Sequence, residues 1–158
     1  MSLSACFTDV SLDPDVRNRL PDGLRADCDT ICSEIAKDAA VFLSDGTPPP
    51  YELFIMLSDN AMMFRLTNQY AAAPLMFHVH ISPLRRLMHD YDLIIGAHGS
   101  ALRHQMGNAR AEAIDMGRRA MHNEGAELIL EQLAPDLTAD LGTARLLFTL
   151  LFLLTQRR

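Results

Sequence analysis

The densest group of chemically capable side chains in this sequence is Ile114-Asp115-Met116-Gly117-Arg118-Arg119-Ala120-Met121-His122-Asn123-Glu124-Gly125. On a helix, Asp115, Arg118 and His122 share one face, and Glu112, Asp115 and Arg119 lie three or four residues apart, within side-chain reach. Such a stripe supports two kinds of chemistry. An imidazole oriented by Asp115 or Glu124 has the makings of a general acid/base. Paired guanidiniums offer planar forks of donors that match a carboxylate or a phosphate. The same residue types also build salt-bridge networks that pin two helices together, and spacing does not separate that reading from the other two. Gly117 leaves room there for another backbone or a ligand.

A second basic pair, Arg85-Arg86, follows Ser82-Pro83, which reads as a helix start with a hydroxyl cap and proline at the first position. Free amides and two arginines in a first turn suit an anion; pairing with Asp90 and Asp92 is the plainer reading. Six histidines raise the question of a metal. His78 and His80, two apart on a strand, point to the same side, as two ligands would. His89, His98, His104 and His122 sit on helical segments, but no HExxH and no paired Cys/His spacing occurs, so a metal at His78 and His80 is only the weaker alternative and no cofactor is expected. His98-Gly99-Ser100 lacks the strand–elbow–helix setting of a serine nucleophile. No phosphate-binding loop or GxGxxG string is present.

These groups must be positioned by elements, and the periodicities name them. Residues 4–12 alternate as a short strand ended by Asp13-Pro14. From Asp22, placed to cap, to about Phe42, Leu24, Cys28, Ile31, Cys32, Ile35 and Ala39 recur at helical spacing. Asp45-Gly46-Thr47 and Pro48–Pro50 break the chain. Three strand-like runs follow, Tyr51–Ser58, Ala61–Thr67 and Leu75–Ile81, with a tight turn at Asp59-Asn60; they form an antiparallel meander with one apolar face. Met56, Met62, Met63 and Met76 on these strands suit core filling or an adaptable surface.

Everything after Ser82 reads as helix. The first helix weakens at Gly96 and Gly99, the second starts near Asn108 and ends before Pro135, and the last, Leu141–Thr155, is strongly apolar. The expected architecture is a single α+β domain over residues 1–158, with a small antiparallel sheet of three to four strands packed against a helical C-terminal half. A chain of 158 residues buries a real core without staples.

Charge narrows the partners. The net charge is -6, and residues 1–81 hold five basic and eleven acidic side chains while residues 82–158 hold nine of each. This balance argues against a generic nucleic-acid binder and against an anionic membrane surface. Thirteen of the 14 basic residues are arginine. Cys6, Cys28 and Cys32 match no zinc or redox spacing, and no secretory leader pattern opens the chain, so a cytoplasmic location is expected. The apolar run Leu146–Leu154 is too short for a bilayer, which needs about 20 residues.

The strings IDMGRRAMHNEGAELILEQL and TARLLFTLLFLL, with LSDNAMMF and SPLRRLMHDYDLI upstream, resemble an uncharacterised bacterial family, number 0262 of the UPF series. The family pattern matches Asp115, Met116, Gly117, Arg118, Arg119, His122, Asn123, Glu124 and Gly125, and also Arg85, Arg86, Asp90, Tyr91, Thr143, Ala144 and Arg145. Gly142 stands where the family carries an acid capping the last helix, Leu146 stands in place of a second arginine, and an aromatic pair is missing around Gly96–Gly99. The resemblance implies a relative without implying an activity.

The expectation is therefore a small binding or regulatory protein that recognises an anionic small molecule or a protein partner through Arg85, Arg86, Arg118, Arg119 and Arg145. One alternative is an enzyme acting on an anionic small molecule, with His122 as acid/base beside Glu124 and Asp115. Another is a homodimer built on the apolar C-terminal helix. Whether the arginines and His122 meet around one concavity separates the first two from a purely structural network.

Overall fold

The computed structural model describes residues 6–103 and 108–156, without the side chains of 97–103 and 108. Strand β1 (Phe7–Leu12) runs into helix α1 (Pro14–Arg19), whose entry is capped by the Asp13 carboxylate accepting from the Asp15 amide. Helix α2 (Asp22–Asp38) follows, then β2 (Val41–Leu43), β3 (Tyr51–Leu57), β4 (Ala61–Thr67) and β5 (Leu75–His80). A 3-10 turn at Ser82–Leu84 leads into α3 (Arg85–Arg103), followed by α4 (Asn108–Leu133), β6 (Leu137–Ala139) and α5 (Leu141–Thr155).

The meander β3-β4-β5 is antiparallel, and beyond the Leu57–Met62 pair the Ser58 amide donates to the Ala61 carbonyl at 2.9 Å, closing a tight turn at Asp59-Asn60 between β3 and β4. Strand β1 adds a fourth member, parallel to β3, giving the order β1-β3-β4-β5. A parallel neighbour needs a crossover, and α1 and α2 supply it. Alternation along the strands sends Leu53, Ile55, Phe64, Leu66, Phe77 and Val79 inward. The outer face carries Glu52, Arg65, Met76, His78 and His80, with the Arg65 guanidinium 4.6 Å over the Phe54 ring. Gln132 of α4 closes part of the β5 edge: the His80 amide donates to its side chain at 2.7 Å, and its own amide donates to the His80 carbonyl at 3.1 Å.

Two local expectations are corrected. Helix α2 stops at Asp38, and Val41–Leu43 pairs antiparallel with Leu137–Ala139 in a second, two-stranded sheet. A three-residue partner far along the chain leaves no periodic trace, so helical spacing ran on through it. Asp22 is the first residue of α2 and Pro21 the cap position, with no side-chain cap bond; Ser82 likewise opens its turn without capping it. The capping carboxylate of α5 is Asp140, which accepts from the Thr143 amide at 2.8 Å.

Helix α5 is the centre of the core. Thr143, Ala144, Leu147, Phe148, Leu150, Leu151, Phe152 and Leu154 are all buried, with α2 and α4 packed against the helix and its apolar residues sharing one core with the inward side chains of the sheet. The apolar surface that suggested a dimer is thus covered within the chain. Beside it, the buried Thr143 hydroxyl accepts from the Ala40 amide at 2.9 Å, tying the end of α2 to the start of α5. Among the described residues, no helix is long and apolar enough to cross a membrane.

Candidate functional site

Glycine sets the approach of α4 to α5. Gly125 lies against the Phe148 ring so closely that a Cβ there would overlap it. His122 is three residues earlier on α4, and Arg145 and Thr149 flank Phe148 on α5. The close approach at Gly125 therefore delivers the imidazole to the α5 backbone: His122 Nε2 lies 3.1 Å from the Arg145 carbonyl and 3.0 Å from Thr149 Oγ1. Gly117, one helical stretch earlier, admits Ile94 of α3; a Cβ there would sit 2.7 Å from Ile94 Cδ1. The room at Gly117 is thus taken up by the protein's own side chain.

Beneath His122 is an aromatic floor. Its ring lies 5.9 Å from Tyr91 and 5.5 Å from Phe148, and Tyr91 meets Phe148 and Phe152 edge-on at 5.3 and 4.9 Å. Burial holds the imidazole pKa below its ordinary value against the raising effect of the Arg145 carbonyl, and the charges of Arg118 and Arg145 lower it further. His122 is accordingly neutral at physiological pH.

The stripe expected on α4 forms. Asp115 holds Arg118 through both Nε (3.1 Å) and an Nη (2.9 Å) and holds Arg119 at 2.8 Å through its other oxygen. The Asp115 bond and the Tyr91 hydroxyl both strengthen the charged state of Arg118. From α5, Arg145 donates through Nε to Asn123 Oδ1 at 2.7 Å. Arg118, Arg119, His122, Asn123 and Arg145 line an open recess of about 250 Å³.

Other expected members lie elsewhere. Arg85 lines a different hollow, with Ile81, Met88, His89, Asp92, Thr155 and Gln156, and donates to the Asp59 carbonyl at 3.3 Å. Arg86 is exposed in the first turn of α3 and is not part of the recess lining. Glu124 is exposed and outside the lining, and neither it nor Asp115 is hydrogen-bonded to His122. His78 and His80 stack nearly parallel on the outer sheet face, ring centres 6.4 Å apart, and no group of three or more metal-capable side chains gathers among the described residues. The side chains of His98, Ser100 and His104 lie outside the described residues.

Three participants are not singled out as site residues by the sequence: Asn123, which holds Arg145, Thr149, which anchors the imidazole, and Tyr91, which floors it. The signal for Thr149 was present, since it is the one hydroxyl inside the apolar run Leu146–Leu154. Only packing shows that it faces His122.

An α+β fold whose helical half carries an arginine- and histidine-lined recess between α4 and α5 is the class of protein defined here. The chain belongs to the uncharacterised protein family UPF0262, whose family model matches residues 6–157. It is similar to a UPF0262 protein of Brucella anthropi, 32% identical over 154 residues that cover 98% of this chain and 96% of that one. A UPF0262 protein of Mesorhizobium japonicum is 31% identical over 153 residues, 97% of this chain and 94% of the other. One of Azorhizobium caulinodans reaches 41% over 103 residues, 65% of this chain and 63% of its own. No solved structure matches the chain.

Proposed function

We propose that this protein binds a small anionic molecule, a carboxylate or a phosphate, in the recess lined by Arg118, Arg119, Arg145, His122 and Asn123, and that it serves as a binding or regulatory module. The supporting observation is the convergence of three guanidiniums from two helices on a recess with no carboxylate among the described residues of its lining. Asp115 sits behind two of them. Gathering like charges around open space is unfavourable, and an anion in the recess would offset it through charge-assisted, bidentate bonds. A volume of about 250 Å³ suits a ligand of few heavy atoms, since drug-sized sites begin at about 300 Å³.

The experiment is a thermal-shift titration of the native protein and of Arg119→Ala with orthophosphate, malate and other small phosphates and carboxylates. Arg119 is the arginine to remove because its side chain is 70% exposed, so the fold does not lean on it. The expected result is a ligand-dependent rise in Tm for the native protein that shrinks in Arg119→Ala, with the unliganded Tm unchanged. If no anion shifts the native Tm at millimolar concentration, the cluster serves to join α4 to α5 and the proposal fails.

Catalysis is the second reading, favoured by a neutral imidazole whose Nδ1 is free to take a proton. It would have His122 act on the bound anion without a carboxylate to orient the ring, because Thr149 and the Arg145 carbonyl do that instead. Turnover that disappears in His122→Gln while anion binding persists is the result that would favour it.

A further inference from the structure

We infer that the recess selects an oxyanion that brings a hydroxyl donor of its own, such as hydrogenphosphate or a hydroxycarboxylate. The inference deepens the anion-binding reading and rests on it.

The argument begins with which nitrogen of His122 carries the proton. Thr149 Oγ1 donates back to the Arg145 carbonyl at 3.0 Å, one turn earlier on α5. Nε2 then faces two oxygens, the Arg145 carbonyl at 3.1 Å and Thr149 Oγ1 at 3.0 Å, and both are acceptors toward it. A protonated Nε2 satisfies this arrangement. An unprotonated Nε2 would set its lone pair against the carbonyl oxygen. In the neutral ring the proton therefore resides on Nε2, and Nδ1 is an acceptor.

Nδ1 has no partner among the described residues, and no buried side-chain nitrogen or oxygen among them lacks one. Nδ1 thus reaches open space, and the open space beside His122 is the recess. The rest of the lining is of the opposite kind. Arg118 and Arg119 on α4 and Arg145 on α5 are donors without acceptor capacity, and Asn123 Oδ1 already holds Arg145 Nε. The Tyr91 hydroxyl from α3 lies at Arg118. Among the described lining side chains, the recess therefore presents three guanidiniums and the Asn123 amide, and His122 Nδ1 is the acceptor that no protein group engages. A bare oxyanion such as sulfate would place a lone pair against Nδ1. One carrying O–H completes every bond: its charged oxygens take the guanidiniums and its hydroxyl donates to Nδ1.

The test compares matched pairs by calorimetric titration of the full chain near pH 8, where orthophosphate is largely the hydrogenphosphate dianion and matches sulfate in charge and size. Malate against succinate is the carboxylate pair, differing by one hydroxyl. The native protein is expected to bind the hydroxyl-bearing member of each pair at least about tenfold more tightly, the range in which an unmet acceptor at a partly open site is felt. In His122→Gln, whose amide can still donate to the Arg145 carbonyl but places nothing at Nδ1, that ratio should fall to about one. Equal binding of both members by the native protein overturns the inference and leaves anion binding standing. If none of the four binds, both fall. A reading independent of any variant comes from nitrogen NMR of the native protein: an Nε2–H imidazole at His122 supports the inference, and an Nδ1–H imidazole overturns it.

Discussion

Gly125 of α4 rests against the Phe148 ring of α5 with no space for a Cβ between them. Phe148 is fully buried and makes ring contacts with both Tyr91 and His122, so it cannot move aside without disturbing the floor of the recess. Gly125→Ala must shift either the ring or the helix. Overpacking of this kind costs about 1–3 kcal/mol, which outweighs the better helix propensity of alanine, about 1 kcal/mol at most. Thermal or chemical denaturation should show a lower Tm for the variant. An unchanged or higher Tm would mean that the two helices do not meet as described.

His122 gives the protein a pH dependence of stability with a definite sign. Its folded-state pKa is lowered from 6.5 by burial, with Arg118 and Arg145 adding to the effect. The unfolded chain then binds the proton more readily than the folded one. The contribution is fully present above about pH 6.5 and is lost as pH falls through the folded value. Denaturation midpoints measured from pH 7.5 down to pH 5 should decline, and the decline should be shallower in His122→Gln. The lowered carboxyl of Asp29, held by Arg17, works in the same direction only at more acidic pH. A decline of the same slope in both proteins would remove His122 from the account.

Thr143 offers a separate check on how the two halves of the chain are joined. Its hydroxyl oxygen is the acceptor for the Ala40 amide, at a site where Thr143 is 3% exposed. Thr143→Val keeps the shape and strands that amide. A buried unsatisfied donor costs about 1–3 kcal/mol, so the urea midpoint should fall with little change in the slope of the transition. Thr143→Ser retains the oxygen and should recover most of the loss.

The three cysteines should divide by reactivity. Burial pushes the Cys28 thiol up to about 11 and the Cys32 thiol up to about 12, with Asp29 close to both. Neither supplies thiolate at neutral pH. Cys6 is half-buried and its thiol lies 3.9 Å from the Val41 carbonyl. A disulfide reagent added to the folded protein at pH 8 should modify Cys6 alone, and all three only after denaturation. Rapid modification of Cys28 or Cys32 in the native state would contradict their burial on the inner face of α2.

Much of the architecture was legible because its signals are local. Period-two alternation marked β3, β4 and β5, helical spacing marked α2 and α5, and Pro135 marked the end of α4. Where a partner far along the chain decides the outcome, local signals failed. Val41–Leu43 reads as the tail of a helix until Leu137–Ala139 pairs with it, and β1 shows nothing of its parallel alignment with β3.

The same division runs through the site. Helical spacing alone puts Asp115, Arg118 and His122 on one face with Arg119 in reach of Asp115, and the strings around them carry the resemblance to the UPF0262 family. Helix packing fixes which groups join them. Arg145 is 23 residues beyond His122 and enters because α5 packs across Gly125; Arg85 and Arg86 are left out because α3 begins beside the far end of α5, near Thr155 and Gln156. Periodicity places a histidine on a face, but only another helix brings the Arg145 carbonyl and Thr149 Oγ1 to its Nε2, the contacts on which the inferred tautomer rests.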